Sequence, residues 1–173
     1  RVPDNTLLSH DLFEGIFARA GLVSDIELVD EYPARYDVAA ARAHRWARGD
    51  WQLLPFLFSP RRYRLRAVNR WKMLDNLRRS LVAPMSLALM LLALAGHGLS
   101  PWAALGLVLA AFATGPLISA VAGFSPSRDD IAKLHFYRQA GADLLRALCG
   151  ALWHLAQLLQ HAMQSADAIV RAL

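Results

Sequence analysis

The sequence predicts a mainly α-helical chain in which a polar first half leads into an apolar helical hairpin. Charge is the first observation. Most of the 19 Lys/Arg and 14 Asp/Glu side chains precede residue 81. From Leu81 to Ser127 no residue carries a formal charge, and His97 is the only titratable side chain. A charge at the bilayer centre costs about 2.5–3.5 kcal/mol even on the lenient insertion scale, so this stretch suits lipid better than a soluble surface. The second observation is the helical spacing of apolar side chains on both sides of it. The third is punctuation by Gly21, Pro33, Pro55 and the turn from Gly96 to Pro101.

A short helix is expected from His10 to Ala20. Leu12, Phe13, Ile16, Phe17 and Ala20 form its apolar face, Ser9 is a suitable N-cap and Gly21 a stop. Ile26 and Leu28 alternate with Asp25 and Glu27, which predicts a brief edge strand. A second helix should run from about Asp37 to the neighbourhood of Leu54, where Pro55 ends or kinks it. Residues 59–80 read as a basic interfacial segment, with Tyr63 and Trp71 set among eight basic side chains. Residues 81–99 and 102–124 are each long enough to cross a hydrocarbon core of about 30 Å. Together they form a hairpin across 81–124, turned at Gly96-His97-Gly98-Leu99-Ser100-Pro101. The basic cluster before the first span places that side in the cytoplasm. Residues 125–173 are helical, opened by Ser125-Pro126-Ser127 and favoured by Asp129 and Asp130. They read either as an amphipathic helix or as a third span.

The single cysteine, Cys149, excludes an internal disulfide framework. The opening Arg1-Val2-Pro3-Asp4 lacks Met and signal-peptide order, so the chain is expected to be a piece of a longer polypeptide.

Three stretches could carry chemistry. In Ser9-His10-Asp11-Leu12-Phe13-Glu14-Gly15, Asp11 stands near a helix N-terminus, where a carboxylate stays ionised. It could act as a base or simply cap the helix. In Arg42-Ala43-His44-Arg45-Trp46-Ala47-Arg48-Gly49-Asp50-Trp51-Gln52, a helical wheel gathers Arg42, Arg45, Trp46, Gly49 and Gln52 into one stripe. Two guanidiniums one turn apart suit a diphosphate. Gly49 permits close approach of a ligand, and Trp46 can stack on a sugar ring. The same stripe would also serve as arginines snorkelling at a membrane surface. The basic run at 61–79 mixes arginines with aromatics as nucleic-acid binders do. Its place before an apolar span favours anionic lipid, and no nucleic-acid partner is expected. His97, His154 and His161 lack ligand neighbours at metal spacing, so no metal site is assigned.

A His-Asp doublet opening a helix, about thirty residues, Arg-x-His-Arg-Trp and then apolar spans resemble the C-terminal part of family-2-like processive glycosyltransferases. The finer resemblance is to cyclic beta-1,2-glucan synthases. It is carried by the first stretch above, by Asp30-Glu31-Tyr32-Pro33-Ala34-Arg35-Tyr36, by His44-Arg45-Trp46-Ala47-Arg48-Gly49-Asp50-Trp51-Gln52-Leu53-Leu54-Pro55, by Arg70-Trp71-Lys72-Met73-Leu74-Asp75-Asn76-Leu77-Arg78-Arg79-Ser80, and by Asp167-Ala168-Ile169-Val170-Arg171. It implies that residues 1–58 are the C-terminal end of a GT-A-like glycosyltransferase domain with helix, short strand and interfacial helices. It implies inverting transfer of glucose from UDP-glucose to a growing beta-1,2-glucan. Asp11 takes the place of the catalytic base, and Arg42, His44, Arg45, Trp46 and Gln52 stand on the substrate side. His10 stands where Glu is usual and Arg42 where Gln is usual, so the resemblance alone does not fix their roles. A divalent cation (Mg or Mn) is implied, with its ligands outside this chain, since no Asp-x-Asp occurs here. The nucleotide-binding half is expected elsewhere in the polypeptide, so this segment alone is not expected to turn over. The implied location is a bacterial inner membrane, multi-pass, with the N-terminal part cytoplasmic and lipid as a partner. Another processive beta-glucan synthase, a transporter segment and a structural anchor are the alternatives.

Overall fold

The computed structural model describes residues 7, 10–17, 25–29, 31, 33–59, 62–126 and 132–173. Its elements in chain order are α1 (Asp11–Phe17), α2 (Tyr36–Gln52), α3 (Leu54–Phe58), α4 (Ala67–Leu94), α5 (Pro101–Ala122), α6 (Lys133–Ala156) and α7 (Leu158–Val170). The chain divides into two compact units, one of residues 1–81 with 163–173, the other of residues 82–162. The mainly helical class with an apolar hairpin is therefore what the structure has. One expectation is corrected. Residues 26–29 form no strand, and there is no strand among the described residues. Leu28 and Val29 are 91% and 97% exposed. Alternation alone does not make a strand; a ladder partner must take up its backbone groups, and none is present there.

In the first unit, α1, α3 and the start of α4 share an apolar core with the end of α2. Leu53 and Met73 are its most deeply buried large side chains. Phe13, Phe56 and Tyr63 stack in series, with ring centroids 4.7 Å apart at each step. Such tilted aromatic pairs add about 0.5–1.5 kcal/mol beyond the area they bury. Pro55 explains the break between α2 and α3. It lies in the first turn of α3, where its missing N–H costs nothing. Trp51 ties α2 to α4 by donating its indole N–H to Ser80 Oγ at 2.8 Å. Ser9, residues 18–20 of the expected first helix and Gly21 lie outside the described residues.

In the second unit, Ala83, Val108, Leu158 and Ala162 form the buried centre, with Leu87, Met90 and Phe112 packed around it. α4 ends because Gly96 adopts φ +80°. His97 N–H donates to Leu92 O and Gly96 N–H to Ala93 O, at 2.9 and 3.1 Å. This is a Schellman closure, which satisfies the last carbonyls of the helix. Four residues later Ser100 caps α5 by accepting from Ala103 N–H at 3.3 Å, and Pro101 fills the first helical position. Within the described residues, α4 (28 residues) and α5 (22 residues) are the helices long and apolar enough to cross a membrane. α6 carries Lys133, Arg138, Asp143 and Arg146 and does not meet that test. Asp129 and Asp130 lie outside the described residues.

Candidate sugar-transfer site

The site is built on α1 and one face of α2. α1 starts at Asp11 because His10 caps it. His10 Nδ1 accepts from Phe13 N–H at 3.4 Å, while the Glu14 carboxylate accepts from His10 N–H at 3.1 Å. This is the reciprocal logic of a capping box, with the acid one residue later than usual. Asp11 then stands in the first turn with its side chain exposed.

Asp11, Arg42, Arg45 and Trp46 line one open cavity of about 950 Å³. Sequence spacing had already grouped the last three on one stripe, and the fold brings the carboxylate opposite them. Neither Asp11 nor Arg45 has a hydrogen-bond or ion-pair partner among the described residues. The Arg42 guanidinium lies 4.7 Å over the Trp46 ring, so one face of the indole is already covered by a cation. Trp46 remains 54% exposed. His44 and Gln52 fall outside this cavity. His44 Nε2 meets Asp167 Oδ2 at 2.8 Å, and Asp167 also accepts from Arg171 Nε at 2.8 Å. Hydrogen bonds from Arg171 and then His44 hold the Asp167 carboxyl below the usual carboxylate range. Gln52 Oε1 is buried, with no partner among the described residues.

Sequence reasoning missed five polar members of the wall. Asp50, Asn76, Arg79, Ser80 and Ser165 also line the cavity. The first four lie inside stretches singled out for their resemblance, without a role of their own at a sugar-transfer site. Ser165 had no local signal. Arg79 adds a third guanidinium, tethered to Asp75 Oδ2 at 2.6 Å. Hydrogen bonds from Arg78 and Arg79 keep the Asp75 carboxyl low. The reading of Gly49 also changes. A Cβ there would lie 3.3 Å from His10 Cδ2. The space that the missing side chain leaves is therefore taken by the His10 ring, not kept for a ligand. Among the described residues no three His, Cys, Asp or Glu side chains converge to hold a metal ion.

A polar helical unit with an arginine-lined cavity is joined in sequence to two helices long and apolar enough to cross a membrane. The chain is 41% identical over 177 aligned residues to Cyclic beta-(1,2)-glucan synthase NdvB of Rhizobium meliloti (strain 1021). The match takes in 100% of this chain and 6% of the length of that relative. No protein-family model and no solved structure matches the chain.

Proposed function

We propose that the chain is the membrane-proximal part of an inverting glycosyltransferase that moves glucose from UDP-glucose to a growing beta-1,2-glucan. One observation supports this most. A carboxylate and two guanidiniums, from helices about thirty residues apart, line one cavity, with Asp11 and Arg45 uncommitted among the described residues. The similarity over all of this chain to part of a cyclic beta-(1,2)-glucan synthase supports a place in a glucan-building enzyme. In this reading Asp11 takes the proton of an acceptor hydroxyl. The oxygen bonds to the anomeric carbon as the bond to the diphosphate oxygen breaks, and UDP leaves with that electron pair. Arg42 and Arg45 face the departing diphosphate, because paired guanidiniums match phosphate oxygens in charge and geometry. Trp46 offers its uncovered face to the acceptor sugar. The divalent cation is held by residues elsewhere in the polypeptide. The protein lies in the inner membrane, with its N-terminal part cytoplasmic and α4 and α5 spanning it.

The test uses the full-length enzyme in membranes, measuring glucose incorporation and UDP-glucose binding on one preparation. Asp11→Asn retains binding and loses about 10²–10⁴-fold in turnover, the usual worth of a general base. Glu14→Gln is milder, because Glu14 serves the cap of α1. Near-normal turnover in Asp11→Asn with collapse in Glu14→Gln means that the other carboxylate is the base.

A further inference from the structure

His10 does more than cap α1. Its Nε2 lies 2.9 Å from Asp50 Oδ1, and the same oxygen accepts from Asn76 Nδ2 at 2.9 Å. The His10 and Asp50 side chains are only 10% and 16% exposed. One tautomer satisfies every contact: Nδ1 bare to accept from Phe13 N–H, and Nε2–H donating to Asp50. These bonds hold the ring at both nitrogens, and its Cδ2 edge faces Gly49, where an added Cβ would lie 3.3 Å away. The cap of α1 and the Asn76 side chain of α4 thus converge on one carboxylate oxygen of α2. The residue that follows this clamped imidazole is Asp11.

We infer that His10 and Asp50 are positioning residues, which hold the Asp11 carboxylate at its place in the cavity wall. The inference rests on the reading of Asp11 as the base, and it explains why an imidazole precedes that base. A carboxylate at position 10 could accept from the helix N–H groups but could not donate to Asp50, and beside it would add charge repulsion. Imidazole supplies an acceptor toward the cap and a donor toward the strut from one rigid ring. Asn76 Nδ2 donates to the same Asp50 oxygen, so a second bond from α4 holds the acceptor in place.

The two nitrogens can be tested separately in the full-length enzyme in membranes. His10→Asn keeps an acceptor near the place of Nδ1 and so keeps the cap, but it cannot reach Asp50. His10→Gln extends an amide N–H toward the place of Nε2 and keeps the strut, but it weakens the cap. The readouts are the kcat and KM for UDP-glucose incorporation and the amount of folded enzyme in the membrane. His10→Asn is expected to lower kcat by about 10- to 100-fold, since a displacement near 1 Å can cost that much, with KM nearly unchanged. His10→Gln is expected to recover most of the loss. Asp50→Ala should add little to the kcat loss of His10→Asn, because the His10–Asp50 bond is already cut there and only the Asn76 contact is lost besides. If His10→Asn turns over normally while Asp11→Asn is inactive, the positioning role is overturned and the base survives. If His10→Gln is the worse of the two, the cap matters rather than the strut, and the inference is likewise overturned. If Asp11→Asn turns over normally, the base assignment fails first and the positioning role falls with it.

Discussion

Arg45 and Arg48 sit three residues apart on α2 and meet different surroundings. Arg45 is exposed on the cavity wall, whereas Arg48 is half-buried, with its Nε enclosed and no partner among the described residues. A charge-assisted contact to phosphate is worth about 1.5–3 kcal/mol. Arg45→Ala is therefore expected to weaken UDP-glucose affinity by roughly 10- to 150-fold, and Arg48→Ala to change it far less. Equal, small effects in a direct binding measurement would mean that the stripe only faces lipid headgroups. Gly49 gives a second residue-scale prediction. A methyl group at this position must push the His10 ring by a few tenths of an ångström, and that ring is bonded at both nitrogens. Gly49→Ala should reduce glucose incorporation without reducing the amount of enzyme in the membrane. The Arg42–Arg45–Trp46 grouping was legible from spacing alone, since a helical wheel is local geometry. What fills the space over Gly49 was not legible, because the ring comes from a residue 39 positions earlier.

The helices were read well where their signals were covalent or nearest-neighbour. The turn between α4 and α5 follows from Gly96 and Gly98, both at φ +80°, and from Ser100 with Pro101. An L side chain is strained in that backbone region. Gly96→Ala should thus destabilise the hairpin by about 1 kcal/mol or more, seen as a lower unfolding midpoint of the detergent-solubilised protein. The first span was expected at 81–99, after a separate basic interfacial segment. The structure instead continues α4 from Ala67 through the basic residues to Leu94. Charged side chains mark the edge of the apolar stretch, but backbone hydrogen bonding does not stop at them. The proposed topology puts the Gly96–Gly98 turn in the periplasm. With Cys149 replaced, His97→Cys should react with an impermeant thiol reagent added from outside. Labelling only after lysis would reverse the orientation.

Over the whole molecule, the large apolar side chains left exposed are informative. Met85, Leu91, Leu92 and Leu94 on α4, and Trp102, Leu107, Ile118 and Val121 on α5, are all more than half exposed. A soluble surface rarely tolerates so much contiguous apolar area, and the proposed membrane location accounts for it. The far end of the chain belongs to the first unit. α7 meets α2 through His44 and Asp167 and through Gln164 Nε2 donating to Ala40 O. A depressed acid pKa contributes stability that is complete above the unfolded value and is lost as pH falls through the folded one. The docking of α7 should therefore survive acidification to about pH 4 and weaken only below it. Hydrogen exchange of α7 amides across that range is the check; loss of protection already near pH 6 would contradict it.

By itself the sequence determined the helical class, the apolar hairpin and its turn, and the stripe of Arg42, Arg45 and Trp46. All of these depend on residue type within one or two turns of chain, where periodicity, caps and breakers act directly. Only the tertiary structure decided that Asp11 joins that stripe around one cavity, that His10 leans on Asp50, itself bonded by Asn76, and that His44 turns away to Asp167. Those partners lie 26, 40 and 123 residues apart. A side-chain hydrogen bond between distant helices leaves no period in the sequence. It exists only once burial of Phe13, Leu53, Phe56 and Met73 has fixed the helices against one another.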